Sequence, residues 1–218
     1  MKNDFWMERW ERKEIGFHQN ETNPYLRQHF PQLRLAQNAE VFVPLCGKSL
    51  DMVWLKDQGF SVFGVELSKI AVNSFFTEND IQPTHFEHSK FETYAAQDIK
   101  ILCGDFFDLE NADLARIRAV YDRASLVALP PEMRKRYVQH LVSILPPKTQ
   151  ILLITFDYPQ DEMSGPPFAV SINEVKYFFA EHAEILLLAQ HDALALNPRF
   201  KERGVSRIHE NIFLISLN

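Results

Sequence analysis

The sequence predicts a doubly wound α/β fold, a mostly parallel sheet with helices on both faces. Three observations predict it. Seven short β-rich runs recur along the 218 residues. Helical patterns separate most of those runs. The first run also leads through a glycine turn into a helix, a glycine stop, a second strand and an acid.

Residues 1–38 precede the first strand and read as a helical segment, with Trp6 and Trp10 four apart on one helical face. By spacing alone such a pair is core packing more often than a lid. The β-rich runs follow at 40–44, 61–66, 99–103, 119–122, 150–156, 184–190 and 208–216. The clearest helix covers 132–145, where Met133, Tyr137, Leu141 and Ile144 form one apolar stripe and Pro146 and Pro147 stop it. The last two β-rich runs predict an antiparallel hairpin that closes the sheet edge. A chain of this length makes one α/β domain, 1–218.

Composition narrows the partners. The balance of 23 basic and 29 acidic residues offers no basic field for nucleic acid or an anionic membrane. Two distant cysteines, Cys46 and Cys103, fit neither a zinc site nor a disulfide scaffold, which points to a reducing, cytoplasmic location. Neither a signal peptide nor a membrane span is expected, and a monomer is the simplest reading of the balanced surface. His85 and His88 form an H-x-x-H pattern without a third ligand, so they read as a polar loop and no metal is expected.

The chemistry concentrates in residues 41–68, VFVPLCGKSLDMVWLKDQGFSVFGVELS. Val41, Phe42 and Val43 make a buried strand, Leu50, Val53 and Trp54 fall at helical spacing, and Gly59 suits the left-handed stop. Glu66 lies 19 residues after Gly47, close to the spacing of roughly 20 that brings an acid to a ribose in doubly wound folds. A P-loop would need glycine where Phe42 stands, and the turn lacks G-x-G-x-x-G, so a triphosphate or pyrophosphate cradle is not supported. A nucleoside without phosphates remains, and S-adenosylmethionine is such a ligand. The same strand, turn, helix, strand and acid also occur in α/β proteins that bind nothing there. Two further strand ends add candidates: Asp105 and Phe106 in ILCGDFFDL for an adenine, and Asp122 and Arg123 in AVYDRASLVAL. As plain structure, Asp105 is a turn residue and Phe106 is core.

FWMERW, IGFHQ, VFVPLCGKSLDMVWL, GFSVFGVE, FFTEN, VYDRASLVAL, GPPF and NIFLISL occur in that order along the chain. Together they resemble the thiopurine S-methyltransferases, most closely the bacterial form. The resemblance implies a Rossmann-like class I methyltransferase fold with a seven-stranded sheet and an antiparallel C-terminal strand. It implies S-adenosylmethionine as methyl donor, and aromatic or heterocyclic thiols as acceptors, extending to selenium or tellurium species. Trp10, Leu45, Gly47, Glu66 and Arg123 would line the cofactor site under the 1–38 segment, with Asp105 and Phe106 near the adenine. Phe17, Arg123, Phe168 and Arg199 would face the acceptor, Arg199 from a segment that matches the family less well. Trp6 is left as core and Cys46 as a small packing residue, since methyl transfer needs no enzyme thiol. No catalytic base is required, because alignment at a good leaving group supplies most of the rate. Two other readings stay open: an O- or N-methyltransferase of the same fold, and a non-catalytic S-adenosylmethionine-binding protein.

Overall fold

Strands β1 (Glu40–Val43), β2 (Ser61–Glu66), β3 (Thr84–His88), β4 (Phe91–Ala96), β5 (Ile99–Cys103), β6 (Ile117–Arg123), β7 (Gln150–Asp157), β8 (Ala183–Asp192) and β9 (His209–Leu217) form one sheet in the computed structural model, which describes residues 3–88, 90–195 and 197–218. Their order is β3-β4-β5-β2-β1-β6-β7-β9-β8. The five central strands, β5-β2-β1-β6-β7, are parallel. Their residues are apolar almost without alternation because helices cover both faces. In β2, Val62, Phe63 and Val65 are all buried, some on each side.

One face packs against α5 (Asn111–Leu114), α6 (Pro131–Ile144) and α7 (Ile172–Phe179), with Tyr137, Val138, Leu141 and Phe179 in the core. The other packs against α2 (Pro24–His29), α3 (Asp51–Asp57) and α4 (Lys69–Glu78), through Leu26, Met52, Leu55, Val72 and Phe75. α1 (Asn3–Glu11) and α8 (Pro198–Glu202) flank the strand ends. Gly59 stops α3 with φ +86°, the left-handed geometry its position calls for.

All seven expected strands are present, and the chain adds two more. β3 and β4 form an antiparallel hairpin on the far edge, so the sheet has nine strands instead of seven. Every residue of β3 is exposed, which removes the alternation that would have marked it as a strand. His85 and His88, expected in a loop, lie on it, and His85 is engaged by Glu92 at 3.0 Å and by the ring of Tyr94. The closing hairpin is antiparallel, but β9 inserts between β7 and β8, leaving β8 on the edge. β9 is more buried than β8, and that burial puts it inside. Among the described residues no helix is long and apolar enough to cross a membrane.

Candidate functional site

Parallel register brings the carboxyl ends of the central strands to one rim: Val43 lies beside Gly64, and Glu66 beside Cys103. The chain leaves β1 through a tight turn in which Leu45 (φ +44°) and Gly47 (φ +53°) both take left-handed conformations. A leucine there is strained, and such strain collects at binding sites. The turn aims the Gly47 amide at β2, where it donates to Glu66 Oε2 at 2.8 Å. The Ser68 amide donates to Glu66 Oε1 at 2.7 Å. Burial lifts the Glu66 carboxyl above its ordinary 4.5, while the amides of Ser68, Gly47 and Leu67 act to hold it down. With three amides on its two oxygens, the carboxylate keeps about one acceptor position for a ligand hydroxyl. Lys48, the lysine of the rejected P-loop reading, is bonded to Glu78 at 2.7 Å.

At the end of β5, Asp105 accepts from the Phe107 amide at 2.9 Å and caps a short 3-10 turn. Asp105, Phe106 and Phe107 all line the cavity described below, but Phe106 is only 3% exposed. It packs among Phe42, Tyr137 and His140, so most of its surface is core, while Phe107 stays half-buried. At the end of β6, alternation sends consecutive side chains to opposite faces. Asp122 turns inward, accepting from Tyr137 at 2.7 Å and from the Leu126 amide at 3.2 Å. Arg123 turns to the rim, and Ser125 ties this corner to β1 by donating to the Pro44 carbonyl at 2.7 Å.

The segment before β1 crosses this rim. Trp10 is 6% exposed and meets Phe17 edge to face at 5.6 Å; Trp6 meets the same ring at 5.6 Å. Both tryptophans line the cavity, so Trp6, expected in the core, belongs to its wall. Two arginines fasten the segment from below. Arg123 donates to Gln19 Oε1 at 2.8 Å and to the Phe17 carbonyl at 3.5 Å. Arg199, from α8, donates to the Gly16 carbonyl at 3.0 Å.

The cavity, partly open to solvent, measures about 770 Å³ and is lined by Trp10, Phe17, Leu45, Gly47, Glu66, Asp105, Phe106, Arg123 and Arg199 together. Phe168 is not on its lining. The GPPF wall is formed by Pro166 and Pro167, while Phe168 folds back over Gly165 and lies 5.8 Å from the Arg134 guanidinium. Cys46 is buried, and burial pushes its thiol well above the ordinary range, which leaves it unreactive.

Several site residues escape a linear reading. Asp51, 1% exposed, accepts from the Asn23 amide at 2.8 Å and the Tyr121 hydroxyl at 3.0 Å, and lies 3.5 Å from Arg123 Nε. Glu210 on β9 lines the cavity with 7% exposure. His18 also lines it, and burial lowers its pKa, with the Lys48 charge adding to the effect. His18 lies in the IGFHQ motif and Asp51 in VFVPLCGKSLDMVWL, but neither was singled out by its neighbours, and Glu210 is an ordinary polar residue next to an apolar run.

Comparisons with known proteins agree with this architecture. The family model described as "Thiopurine S-methyltransferase (TPMT)" matches residues 1–217. A thiopurine S-methyltransferase of Nitrosospira multiformis is 58% identical over 215 residues, covering 99% of this chain and 98% of its own. One from Pseudomonas paraeruginosa is 51% identical, covering 99% of each. Among solved structures, the 1,6-didemethyltoxoflavin-N1-methyltransferase of Burkholderia thailandensis, with bound 1,6-didemethyltoxoflavin and S-adenosylhomocysteine, superposes with a TM-score of 0.66 at 13% identity, covering 99% of this chain and 87% of its own. The cyclopropane synthase MmaA2 of Mycobacterium tuberculosis gives 0.63 at 14% identity over 88% of this chain and 82% of its own, so both share the fold. With a family model spanning all but the last residue and a relative of 58% identity along nearly its whole length, the chain belongs to the thiopurine S-methyltransferase family.

Proposed function

We propose that the protein is an S-adenosylmethionine-dependent methyltransferase that methylates the sulfur of aromatic and heterocyclic thiols such as thiopurines. The observation that carries this reading is that one cavity is lined by both the Gly47 and Glu66 pair and the Arg123 and Arg199 guanidiniums. The first pair suits a phosphate-free nucleoside, since Glu66 offers a carboxylate acceptor to a ribose hydroxyl and Lys48 is already engaged by Glu78. Family membership and the S-adenosylhomocysteine held by a protein of the same fold support that choice. When bound, S-adenosylmethionine supplies an electrophilic methyl group on a good leaving group.

The chain's own part is orientation, exclusion of water and charge. Glu66, Leu45, Gly47 and Asp105 hold the nucleoside side, and Trp10 with Phe17 covers it from solvent. Arg123 and Arg199 favour the thiolate form of the acceptor, because a nearby guanidinium lowers a thiol pKa. Pro166 and Pro167 supply the apolar wall expected of Phe168. No protein base is assigned. We further read the protein as a cytoplasmic monomer without nucleic-acid partners, consistent with its net charge of −6.

Radiolabelled methyl transfer from S-adenosylmethionine to a panel of 6-mercaptopurine, thiophenol, a selenol, catechol and a primary amine tests the reading. Label should appear on the thiols and not on the oxygen or nitrogen nucleophiles. Transfer to catechol or the amine alone would favour an O- or N-methyltransferase, and cofactor binding with no transfer to any acceptor would favour a non-catalytic binder. Arg199→Ala should lower kcat/KM for 6-mercaptopurine by about 1.5–3 kcal/mol in transition-state free energy while changing cofactor affinity much less. Arg123→Ala should reduce both.

A further inference from the structure

Among the described residues, two carboxylates on the cavity lining are themselves buried, Glu66 and Glu210. Glu66 is occupied by backbone amides. Glu210 has no such cradle. It stands near the start of β9, opposite Phe156 of β7, and both side chains line the cavity beside Phe200. Its hydrogen-bond donor among the described residues is the Tyr25 hydroxyl, which reaches it from α2. Burial and the Glu210 charge push the Tyr25 phenol up to about 12, so that hydroxyl stays a donor at neutral pH. Arg123 is close enough for its charge to act on Glu210, yet its described partners are Phe17, Gln19, Tyr121 and Asp51.

A buried carboxylate on a cavity wall loses much of its hydration, a cost that hydrogen-bond donors offset. One hydroxyl satisfies one of about four acceptor positions. A ligand donor is therefore the natural complement of the remainder. Thiol-bearing heterocycles with a ring nitrogen on each side of the C–S carbon carry such a donor even as thiolates, since one nitrogen keeps its N–H after the other has lost its proton.

We propose that Glu210 determines acceptor specificity, its carboxylate accepting a hydrogen bond from the ring N–H of a heterocyclic thiol while the neighbouring Arg123 guanidinium faces the sulfur. The ligand class is a planar thioamide edge, donor and soft acceptor side by side. This deepens the reading of the cavity as a methyl-acceptor site and rests on it.

The test compares two planar bicyclic acceptors, 2-mercaptobenzimidazole, which has ring N–H groups, and 2-naphthalenethiol, which has none. In Glu210→Met, which keeps the length and loses the acceptor, kcat/KM should fall tenfold to a hundredfold further for 2-mercaptobenzimidazole than for 2-naphthalenethiol. Calorimetric titration with S-adenosylhomocysteine should show cofactor affinity little changed. If Glu210→Met does not fold, Glu210→Gln decides: it keeps shape and one acceptor but loses the charge, and should shift the ratio of the two acceptors in the same direction by a smaller factor. Equal falls on both acceptors, or no fall, would overturn the proposal. A parent protein that methylates neither compound would remove the acceptor site itself, and the proposal with it.

Discussion

The Gly47 amide and the Glu66 carboxylate, 19 residues apart, meet at 2.8 Å across the ends of β1 and β2. That bond joins the left-handed turn to the acid, so one contact sets both the shape of this corner of the cavity and its buried carboxylate. Glu66→Gln can keep one backbone amide but must turn its own NH2 toward the other. Cofactor affinity should fall at least tenfold, and unfolding free energy by about 1–3 kcal/mol. Calorimetry with S-adenosylhomocysteine on a folded variant checks the first; unchanged affinity would take Glu66 out of the cofactor site.

Gly47→Ala tests how the turn and the cover fit together. The position has φ +53°, and an added Cβ would stand 3.2 Å from Trp10 Cζ2. The left-handed penalty for a residue with a Cβ is roughly 1–2 kcal/mol, and Trp10 must also shift. Urea unfolding should show that loss, and tryptophan emission should move to the red as the indole gains water. Native-like emission with full cofactor affinity would mean that the cover tolerates the displacement.

Asp51 is the acid that keeps Arg123 in place, at 3.5 Å from Nε, while also holding Tyr121 and the Asn23 amide. Removing one member of a buried pair leaves the other charge uncompensated, which costs about 3–5 kcal/mol. Asp51→Ala should lose stability on that scale, and activity should fall with it because Arg123 and the Asn23 amide lose their partner together. Asp51→Asn should lose less. Chemical denaturation of the two variants settles the matter, and a loss near zero in Asp51→Ala would show Arg123 to be held by Gln19 and Phe17 instead.

Glu210 also predicts a pH dependence. Burial raises its folded pKa above the ordinary 4.5, against the pull of Tyr25 and Arg123. The folded state then binds the proton more tightly than the unfolded chain. The contribution of Glu210 to stability is complete below about 4.5 and is lost as pH rises through the higher folded value. Glu210→Gln carries no titrating proton there, so the parent should lose stability relative to it over that interval and run parallel above it. Thermal unfolding of both proteins from pH 4 to 8 reads this directly; a difference that stays constant, or one that changes in the opposite direction, would contradict the raised value.

Sequence by itself determined the local elements. Seven strands, helix α6 with its proline stop, the left-handed glycine ending α3, and the turn and acid at Gly47 and Glu66 each rest on the periodicity or conformational freedom of neighbouring residues. The family motifs added Trp10, Phe17, Arg123 and Arg199, all of which reach one cavity. Tertiary structure alone decided the rest. β3 was illegible because a fully exposed edge strand has no apolar alternation, and Phe168 lost the wall to Pro166 and Pro167 because it folds back over Gly165. The partners of Asp51, although it lies within VFVPLCGKSLDMVWL, and of Glu210 carry no local signature: Asp51 meets Tyr121, 70 residues away, and Glu210 meets Tyr25, only because the fold brings their elements together. A polar residue's partner in a parallel sheet is chosen by which strands lie side by side. That choice is made by packing across the whole chain, beyond the reach of any window of neighbouring residues.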